Sequence, residues 1–172
     1  MKDRLFIAGP CSVGKSTVSN IVSKYLSIEY LDYDNLGIKD MENNNHQISP
    51  FSLMGFNLKK SIYPLIENNS NGFIIDMGGE NVFRHGVDND NRLRQILDLK
   101  EDLQVKVIVL FSNQQILYKR FCSSKNRKKE EFLSIWNNWI ELIFPYWKIC
   151  GDRFIDTTYL NPERMAEEVI EG

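Results

Sequence analysis

The sequence predicts an α/β protein whose parallel sheet is covered on both faces by helices. Short apolar runs typical of buried strands alternate with longer segments of helical periodicity along the whole chain. The run at 105–111 is rich in β-branched residues and bounded by polar segments, so it predicts a strand near the middle of the sheet. Because the chain has 172 residues, of which 42% are hydrophobic, we expect one domain over residues 1–172.

Three strands are predicted in the first half of the chain. The apolar residues at 5–8 precede a glycine-rich loop, and apolar residues then recur at helical spacing over 17–26. Pro50 marks the entry to a later helix. In chain order, the sequence further predicts a strand at 29–31, a loop at 41–47, a helix at 51–67, a turn at 68–72 and a strand at 73–75.

Helices are predicted to dominate the second half of the chain. They occupy 114–150, apart from a basic polar stretch at 123–129. Near the end, Asn161 suits the N-cap of a helix and Pro162 its first position. The sequence also predicts a helix at 89–99, a last strand at 153–156 and a closing helix at 162–170.

The composition argues against several kinds of partner. The formal net charge is -2, so there is no long-range positive field to hold a nucleic acid. Three widely spaced cysteines and two histidines do not form a zinc pattern, and a reducing cytoplasmic location fits them best. No apolar run is long enough to cross a bilayer and no signal peptide is recognisable, so we expect no membrane association.

Residues 9–16 match the pattern G-x-x-x-x-G-K-[ST] at every position and lie between a predicted strand and a predicted helix. In such a loop the two glycines let backbone N–H groups turn inward around a phosphate, and the helix adds its positive dipole end. Lys15 is expected to bridge the β- and γ-phosphates and Ser16 to coordinate Mg²⁺. We therefore expect ATP or another nucleoside triphosphate to contact Gly9, Pro10, Cys11, Ser12, Val13, Gly14, Lys15, Ser16 and Thr17.

Carboxylates follow two of the predicted strands, where ligands gather in a sheet of this kind. Asp32 and Asp34 are separated by one residue, so one could hold a magnesium-bound water while the other takes the proton of an attacking hydroxyl. The alternative is that they satisfy backbone groups of a turn. Asp76 ends an apolar run in the form of a Walker B strand, which predicts a third carboxylate near the metal.

Two further groups of residues are candidates for the acceptor and the nucleotide. Gly78 and Gly79 would let backbone N–H groups approach a ligand, and Arg84 could clamp an anionic acceptor, although a glycine turn and a solvated arginine are the ordinary alternatives. Arg120 and Arg127 could supply the mobile cation that phosphoryl transfer needs. One alternative for this basic stretch is a solvated face, neutralised by the acidic residues that follow it. Another is a nucleic-acid patch, which the overall acidity and the shortness of the run disfavour.

Taken together, these residues resemble the shikimate kinase family, within the nucleoside monophosphate kinase-like P-loop NTPases. The glycine loop, the aspartate pair, the glycine turn and the two arginines fall in the family's order, as do Pro145 to Trp147 and Phe154 to Thr157. The resemblance implies a five-stranded parallel sheet in the order 2-3-1-4-5 with a helical lid at about 120–131. It also implies the following roles: Lys15 and Ser16 hold phosphates and Mg²⁺, Asp32 supports the metal, Asp34 contacts the acceptor hydroxyl, Arg120 stacks on adenine and Arg127 closes over the phosphates.

The chain departs from the family where shikimate would be held. Phe56 and Asn57 stand where the family has a Phe-Arg pair that grips the carboxylate, and Ile143 replaces a second arginine. Glu80 follows a glycine turn one residue shorter than the family's. A buried carboxylate without these partners would lose several kcal/mol, so we expect a different small hydroxyl compound. Lys59, Lys60 or Arg84 could substitute for the missing arginines.

Three functions are compatible with this sequence. The leading hypothesis is an ATP- and Mg²⁺-dependent kinase of a small alcohol. A nucleoside or nucleotide kinase is the second, although few arginines precede Arg84 in the segment that would grip a nucleotide. The third is a nucleotide-binding regulator that hydrolyses slowly or not at all, which the lost arginines motivate.

Overall fold

Five parallel strands form the centre of the fold in the computed structural model. The structure describes residues 3–33, 62–63, 71–78, 82–125 and 128–171. Its strands are β1 (Arg4–Gly9), β2 (Glu29–Asp32), β3 (Phe73–Gly78), β4 (Lys106–Phe111) and β5 (Arg153–Asp156). Its helices are α1 (Lys15–Leu26), α2 (Asn89–Leu103), α3 (Gln114–Lys125), α4 (Lys129–Asn138), a π-helical turn (Trp139–Ile143), α5 (Phe144–Cys150) and α6 (Pro162–Glu171).

The strand order is β2-β3-β1-β4-β5, and every neighbouring pair is parallel. This confirms the α/β fold and the predicted order. The register brings Gly9 of β1 opposite Gly78 of β3, and Asp32 of β2 opposite Asp76 of β3. The carboxyl ends of the three strands therefore meet at one edge of the sheet, where ligands bind in folds of this type.

Two apolar clusters cover the faces of the sheet. Side chains alternate along each strand, so Phe6 and Ala8 join one cluster while Leu5 and Ile7 join the other. The first cluster includes buried residues of α2, the π-helical turn and α5, and the second includes those of α1, α3 and α6. The result is a sheet between two helical layers. Among the described residues, no helix is long and apolar enough to span a bilayer.

The structure corrects the predicted end of β3. The strand continues through Gly78 rather than ending near residue 75, because its ladder with β1 extends to the Gly9–Gly78 pair. Asp76 consequently lies within the strand, and it is only 5% exposed. The predicted loop at 41–47 and nearly all of the predicted helix at 51–67 lie outside the described residues.

The basic stretch at 123–129 was predicted to interrupt the helices, and this was wrong at both of its ends. Helix α3 continues through Lys125, and α4 already begins at Lys129. Ser123 is accommodated because its hydroxyl donates to the carbonyl of Lys119, one turn earlier, at 2.9 Å. Lysine also favours helices.

A π-helical turn joins α4 to α5 without breaking the helix. Pro145 explains its position. Proline has no N–H to donate to the carbonyl of Glu141, and in a regular α-helix its ring would clash with that carbonyl. A wider turn immediately before the proline relieves the clash, so the chain continues as one rod from Lys129 to Cys150.

Replacing Gly72 with alanine is expected to lower the free energy of unfolding by about 1–3 kcal/mol. Gly72 has a φ of +110°, and an added Cβ would lie 2.4 Å from the carbonyl oxygen of Asp3, which accepts a hydrogen bond from the N–H of Phe73. Urea denaturation measures the change. The matched control is Gly86→Ala: its φ is +77°, but nothing lies within 4 Å of the added Cβ, so the loss should be smaller. Equal losses would contradict the steric argument.

Candidate active site

The loop between β1 and α1 has the backbone of an anion-binding concavity. Ser12 (φ 64°) and Gly14 (φ 105°) both occupy the left-handed region, and such residues turn successive N–H groups toward one side of the chain. Gly14 is also the N-cap of α1, where no side chain caps the helix. An anion bound in the loop would satisfy the first N–H groups of α1 and meet the positive end of its dipole.

Close packing explains the glycine that opens the loop. A Cβ at Gly9 would lie 2.6 Å from the carbonyl oxygen of Leu110 in β4 and 2.8 Å from Cγ1 of Val13. Both distances are shorter than atoms tolerate, so a larger residue would push the loop away from the sheet. The close approach keeps the loop at the carboxyl ends of β1 and β4, directly before α1.

Lys15 bends back over the loop. Its Nζ donates a hydrogen bond to the carbonyl oxygen of Pro10 at 3.2 Å. The ammonium group therefore lies on the same side as the loop, although Lys15 itself is the first residue of α1. This arrangement fits a polyphosphate, since a positive charge accompanies the backbone N–H groups.

A hydroxyl and two carboxylates gather beside the loop. The Ser16 hydroxyl donates to Oδ2 of Asp76 at 2.6 Å, which joins α1 to β3. Asp32 lies next to Asp76 on the neighbouring strand. Hydroxyl and carboxylate oxygens are the ligands that Mg²⁺ prefers. The described residues hold no group of three or more His, Cys, Asp or Glu side chains suited to a metal.

Arg120 is fixed at the carboxyl ends of β4 and β5. Its guanidinium donates to the carbonyl oxygen of Thr157 at 3.1 Å and to the Thr157 hydroxyl at 3.4 Å. Thr157 in turn donates from its hydroxyl to the carbonyl of Phe111 at 3.1 Å. A guanidinium held in this way offers a flat face to an aromatic ring, as stacking on a base requires.

A buried asparagine holds the loop that follows β3. The N–H of Arg84 donates to Oδ1 of Asn89, and Nδ2 of Asn89 donates to the carbonyl of Arg84, both at 3.1 Å. This pair of bonds fixes the backbone at the predicted acceptor-binding arginine. Gly78, the other described acceptor candidate, is buried at the end of β3.

Arg92 is a charged residue near this loop that the sequence did not single out. It is 5% exposed and donates to the carbonyl of Val82 at 2.7 Å. Burial lowers the pKa of its guanidinium; Tyr33 opposes this effect, and the positive charge of Arg84 adds to it. Arg84 and Arg92 therefore influence each other electrostatically. A local signal could have found it, because Arg92 lies at helical spacing from buried Ile96 and Leu99. Arg94 is exposed and lies on another face of α2.

Several predicted site residues lie outside the described part of the chain. These are Asp34, Gly79 and Arg127, together with Phe56, Asn57, Lys59, Lys60 and Glu80. Their roles stay predictions. Ile143 is described: it is fully buried in the cluster with Trp139 and Trp147, so this position of the helix is part of the core.

No protein-family model matches the sequence, and no curated protein is detectably similar to it in sequence. The structure, in contrast, is similar to solved kinases over nearly its whole length. A shikimate kinase from Bacteroides thetaiotaomicron has a TM-score of 0.67 at 14% identity, covering 98% of this chain and 96% of that one. A shikimate kinase from Acinetobacter baumannii in complex with shikimate has the same TM-score and identity over 99% and 92%.

A gluconokinase from Sinorhizobium meliloti is also similar, with a TM-score of 0.61 at 10% identity over 98% of this chain and 90% of that one. At such low identities the likeness concerns the fold. The chain has the shikimate kinase-like P-loop kinase fold, as its motifs predicted.

Proposed function

We propose that this protein is an ATP- and Mg²⁺-dependent kinase that transfers the terminal phosphate to a hydroxyl group of a small molecule other than shikimate. The observation that carries the proposal is the 2.6 Å hydrogen bond between the Ser16 hydroxyl and Asp76. An ordinary glycine-rich turn does not require a hydrogen bond between its helix and a buried carboxylate on a strand. A magnesium site does require it, because the hydroxyl beside the loop and the carboxylate on the strand would together hold the metal and its water ligands.

The nucleotide would be held by the loop and by Arg120. Backbone N–H groups of the loop and the ammonium of Lys15 bind the phosphates, and the Arg120 guanidinium stacks on the base. Ser16 would ligate Mg²⁺, and Asp76 and Asp32 would orient its water ligands. When bound, Mg²⁺ would offset the negative charge that develops during transfer.

The acceptor would lie against the loop that follows β3. Asp34 accepts the proton of the attacking hydroxyl, and the backbone at Gly78 and Gly79 approaches the acceptor closely. Arg84 donates hydrogen bonds to it from a backbone fixed by Asn89. Arg127 then closes over the phosphates from the lid and excludes water.

The burial of Ile143 supports an acceptor other than shikimate. The resemblance places a carboxylate-binding arginine at this position, but the side chain here is 0% exposed and packs in the core. A carboxylate brought to this place would lack the guanidinium that the resemblance implies here, at a cost of several kcal/mol.

An assay of ADP release with Mg·ATP tests the proposal against a panel of nucleosides, sugars and cyclitols. We expect at least one sugar or cyclitol to be phosphorylated, in a reaction that requires Mg²⁺. Phosphorylation of nucleosides alone would instead identify a nucleoside kinase. Tight ATP binding without any acceptor, in the panel or in metabolite extracts, would leave a regulatory nucleotide-binding protein.

Replacing Asp34 with asparagine is expected to lower the rate of transfer by about 100-fold or more, since the variant loses its general base. Nucleotide affinity should be unchanged, because the residue is assigned to the acceptor and not to the phosphates. Calorimetry with Mg·ATP and the ADP-release assay measure the two quantities separately. Transfer at the parental rate would refute the assigned role.

A further inference from the structure

The bend between β5 and α6, at residues 157–160, is fixed to the sheet by hydrogen bonds. The N–H of Thr157 donates to the carbonyl of Phe111 at 2.8 Å, and the N–H of Leu160 donates back to the carbonyl of Thr157 at 3.4 Å. Thr158 donates to the carboxylate of the last residue of β5 from both its N–H and its hydroxyl. Both ends and the middle of the bend are therefore held in place.

This bend lies close to the phosphate loop on two sides. On the sheet side, the strand residue before the one that accepts from the bend is Leu110, whose carbonyl oxygen would be 2.6 Å from a Cβ at Gly9. On the helix side, Cε of Met165 in α6 would be 3.5 Å from a Cβ at Gly14. Because the bend joins β5 to α6, a nucleotide with its phosphates in the loop can reach the bend with its base.

Tyr159 lies in the middle of the fixed bend and projects into solvent. It is 94% exposed, the highest exposed fraction among the large apolar side chains of the described residues. Single exposed aromatic residues are ordinary on protein surfaces, so its place is what distinguishes this one. A tyrosine ring supplies a large, rigid face at little cost in conformational entropy, and any base can stack on such a face. The bend therefore presents a stacking surface at the ligand-binding edge of the sheet.

Arg120 is attached to the same bend. Its guanidinium donates to the carbonyl of Thr157, two residues before Tyr159, at 3.1 Å. A guanidinium is planar and stacks on aromatic faces, as a phenol ring does. Two flat groups are thus fixed to one short segment, one at its start and one in its middle.

We infer that Tyr159 forms a second wall of the nucleobase site, so that the base lies between its ring and the guanidinium of Arg120. The inference rests on the nucleotide site of the proposed function, but not on transfer to any acceptor. Stacking strengthens with the area of the rings in contact, so two walls favour the fused rings of a purine over the single ring of a pyrimidine. Tyr159 is thus a specificity-determining residue for purine nucleotides.

Calorimetry with Mg·ATP and with Mg·tripolyphosphate tests the inference. We expect Tyr159→Ala to weaken the binding of Mg·ATP by about 10-fold, because the contact between base and ring is lost. The binding of tripolyphosphate should be unchanged, since this probe has no base. Tyr159→Phe should bind Mg·ATP as the parental protein does, because phenylalanine keeps the aromatic face.

The preference for a purine has its own measurement. The parental protein should bind Mg·ATP about 10-fold more tightly than Mg·CTP, and Tyr159→Ala should reduce this ratio to about 3-fold. The matched control is Tyr25→Ala, which removes a ring that is 73% exposed in the last turn of α1, away from the phosphate loop. It should leave every affinity unchanged.

Four results would each overturn the inference: a Tyr159→Ala protein that binds Mg·ATP normally, an equal loss for ATP and tripolyphosphate, equal affinities of the parental protein for ATP and CTP, or no binding of nucleotide at all. Transfer of phosphate by a protein whose ATP affinity is insensitive to Tyr159→Ala would refute the base site alone. Binding of ATP that depends on Tyr159, without phosphorylation of any acceptor, would uphold the base site and refute the kinase proposal.

Discussion

Replacing Lys15 with alanine is expected to abolish nucleotide-dependent turnover, lowering kcat by about 1000-fold. The ammonium of Lys15 lies over the glycine loop, where it donates to the carbonyl of Pro10 at 3.2 Å. It is the one full positive charge within the loop. Its replacement therefore removes the group that stabilises negative charge on the β- and γ-phosphates during transfer. Steady-state ADP release measures the effect, and calorimetry with Mg·ATP shows how much of it is lost binding.

The matched control is Lys24→Ala, in the last turn of the same helix. Lys24 is exposed and remote from the loop by two helical turns, so its removal should leave turnover unchanged. Circular dichroism of both variants shows whether the helix persists. A Lys15→Ala protein with more than about a tenth of parental activity would contradict electrostatic catalysis of the usual size.

Replacing Asp76 with asparagine is expected to lower turnover by about 100-fold and to raise the Mg²⁺ concentration for half-maximal activity by about 10-fold. The change keeps the shape of a side chain that is 5% exposed, but it removes the charge that accepts the Ser16 hydroxyl. The melting temperature should stay close to parental, because a neutral amide is easier to bury than a carboxylate. A titration of activity against Mg²⁺ at saturating ATP measures the shift.

Asp156→Asn is the control for this prediction. Asp156 also lies at the carboxyl end of a strand, but its Oδ1 accepts from the N–H and hydroxyl of Thr158, as a turn aspartate does. Its replacement should leave the Mg²⁺ requirement unchanged. Ser16→Ala combined with Asp76→Asn should cost less than the sum of the two single effects, because both residues act on one metal. Fully additive losses would show that they act separately.

The sequence predicted most of the fold because its local signals agree with one another. Glycine and proline punctuation, β-branched strands and helical spacing all indicated the same alternation, and the resemblance supplied the strand order. Boundaries were less accurate. The β3 ladder extends to residue 78 through its pairing with β1, and no local pattern encodes the length of a neighbouring strand.

The candidate site could be predicted only in part, for a related reason. Ser16 and Asp76 are 60 positions apart, and they meet because β1 and β3 are neighbours. The spacing of Arg92 from Ile96 and Leu99 indicates the buried face of α2, but arginine is rarely buried, so the spacing alone does not predict its burial. Pro145 signals a disturbed helix, but proline is equally compatible with a break, a kink or a wider turn.

The π-helical turn also divides the rod from Lys129 to Cys150 into two parts that pack on different faces of the sheet. Before the turn, the ring of Phe132 packs on those of Tyr118 and Phe121 in α3, with ring centroids 5.4 and 5.6 Å apart. After the turn, Trp147 packs on Phe83. One continuous rod thus belongs to a different apolar cluster at each end, and the π-helical turn lies between the two ends. The rod therefore joins the helical layer on one face of the sheet to the layer on the other.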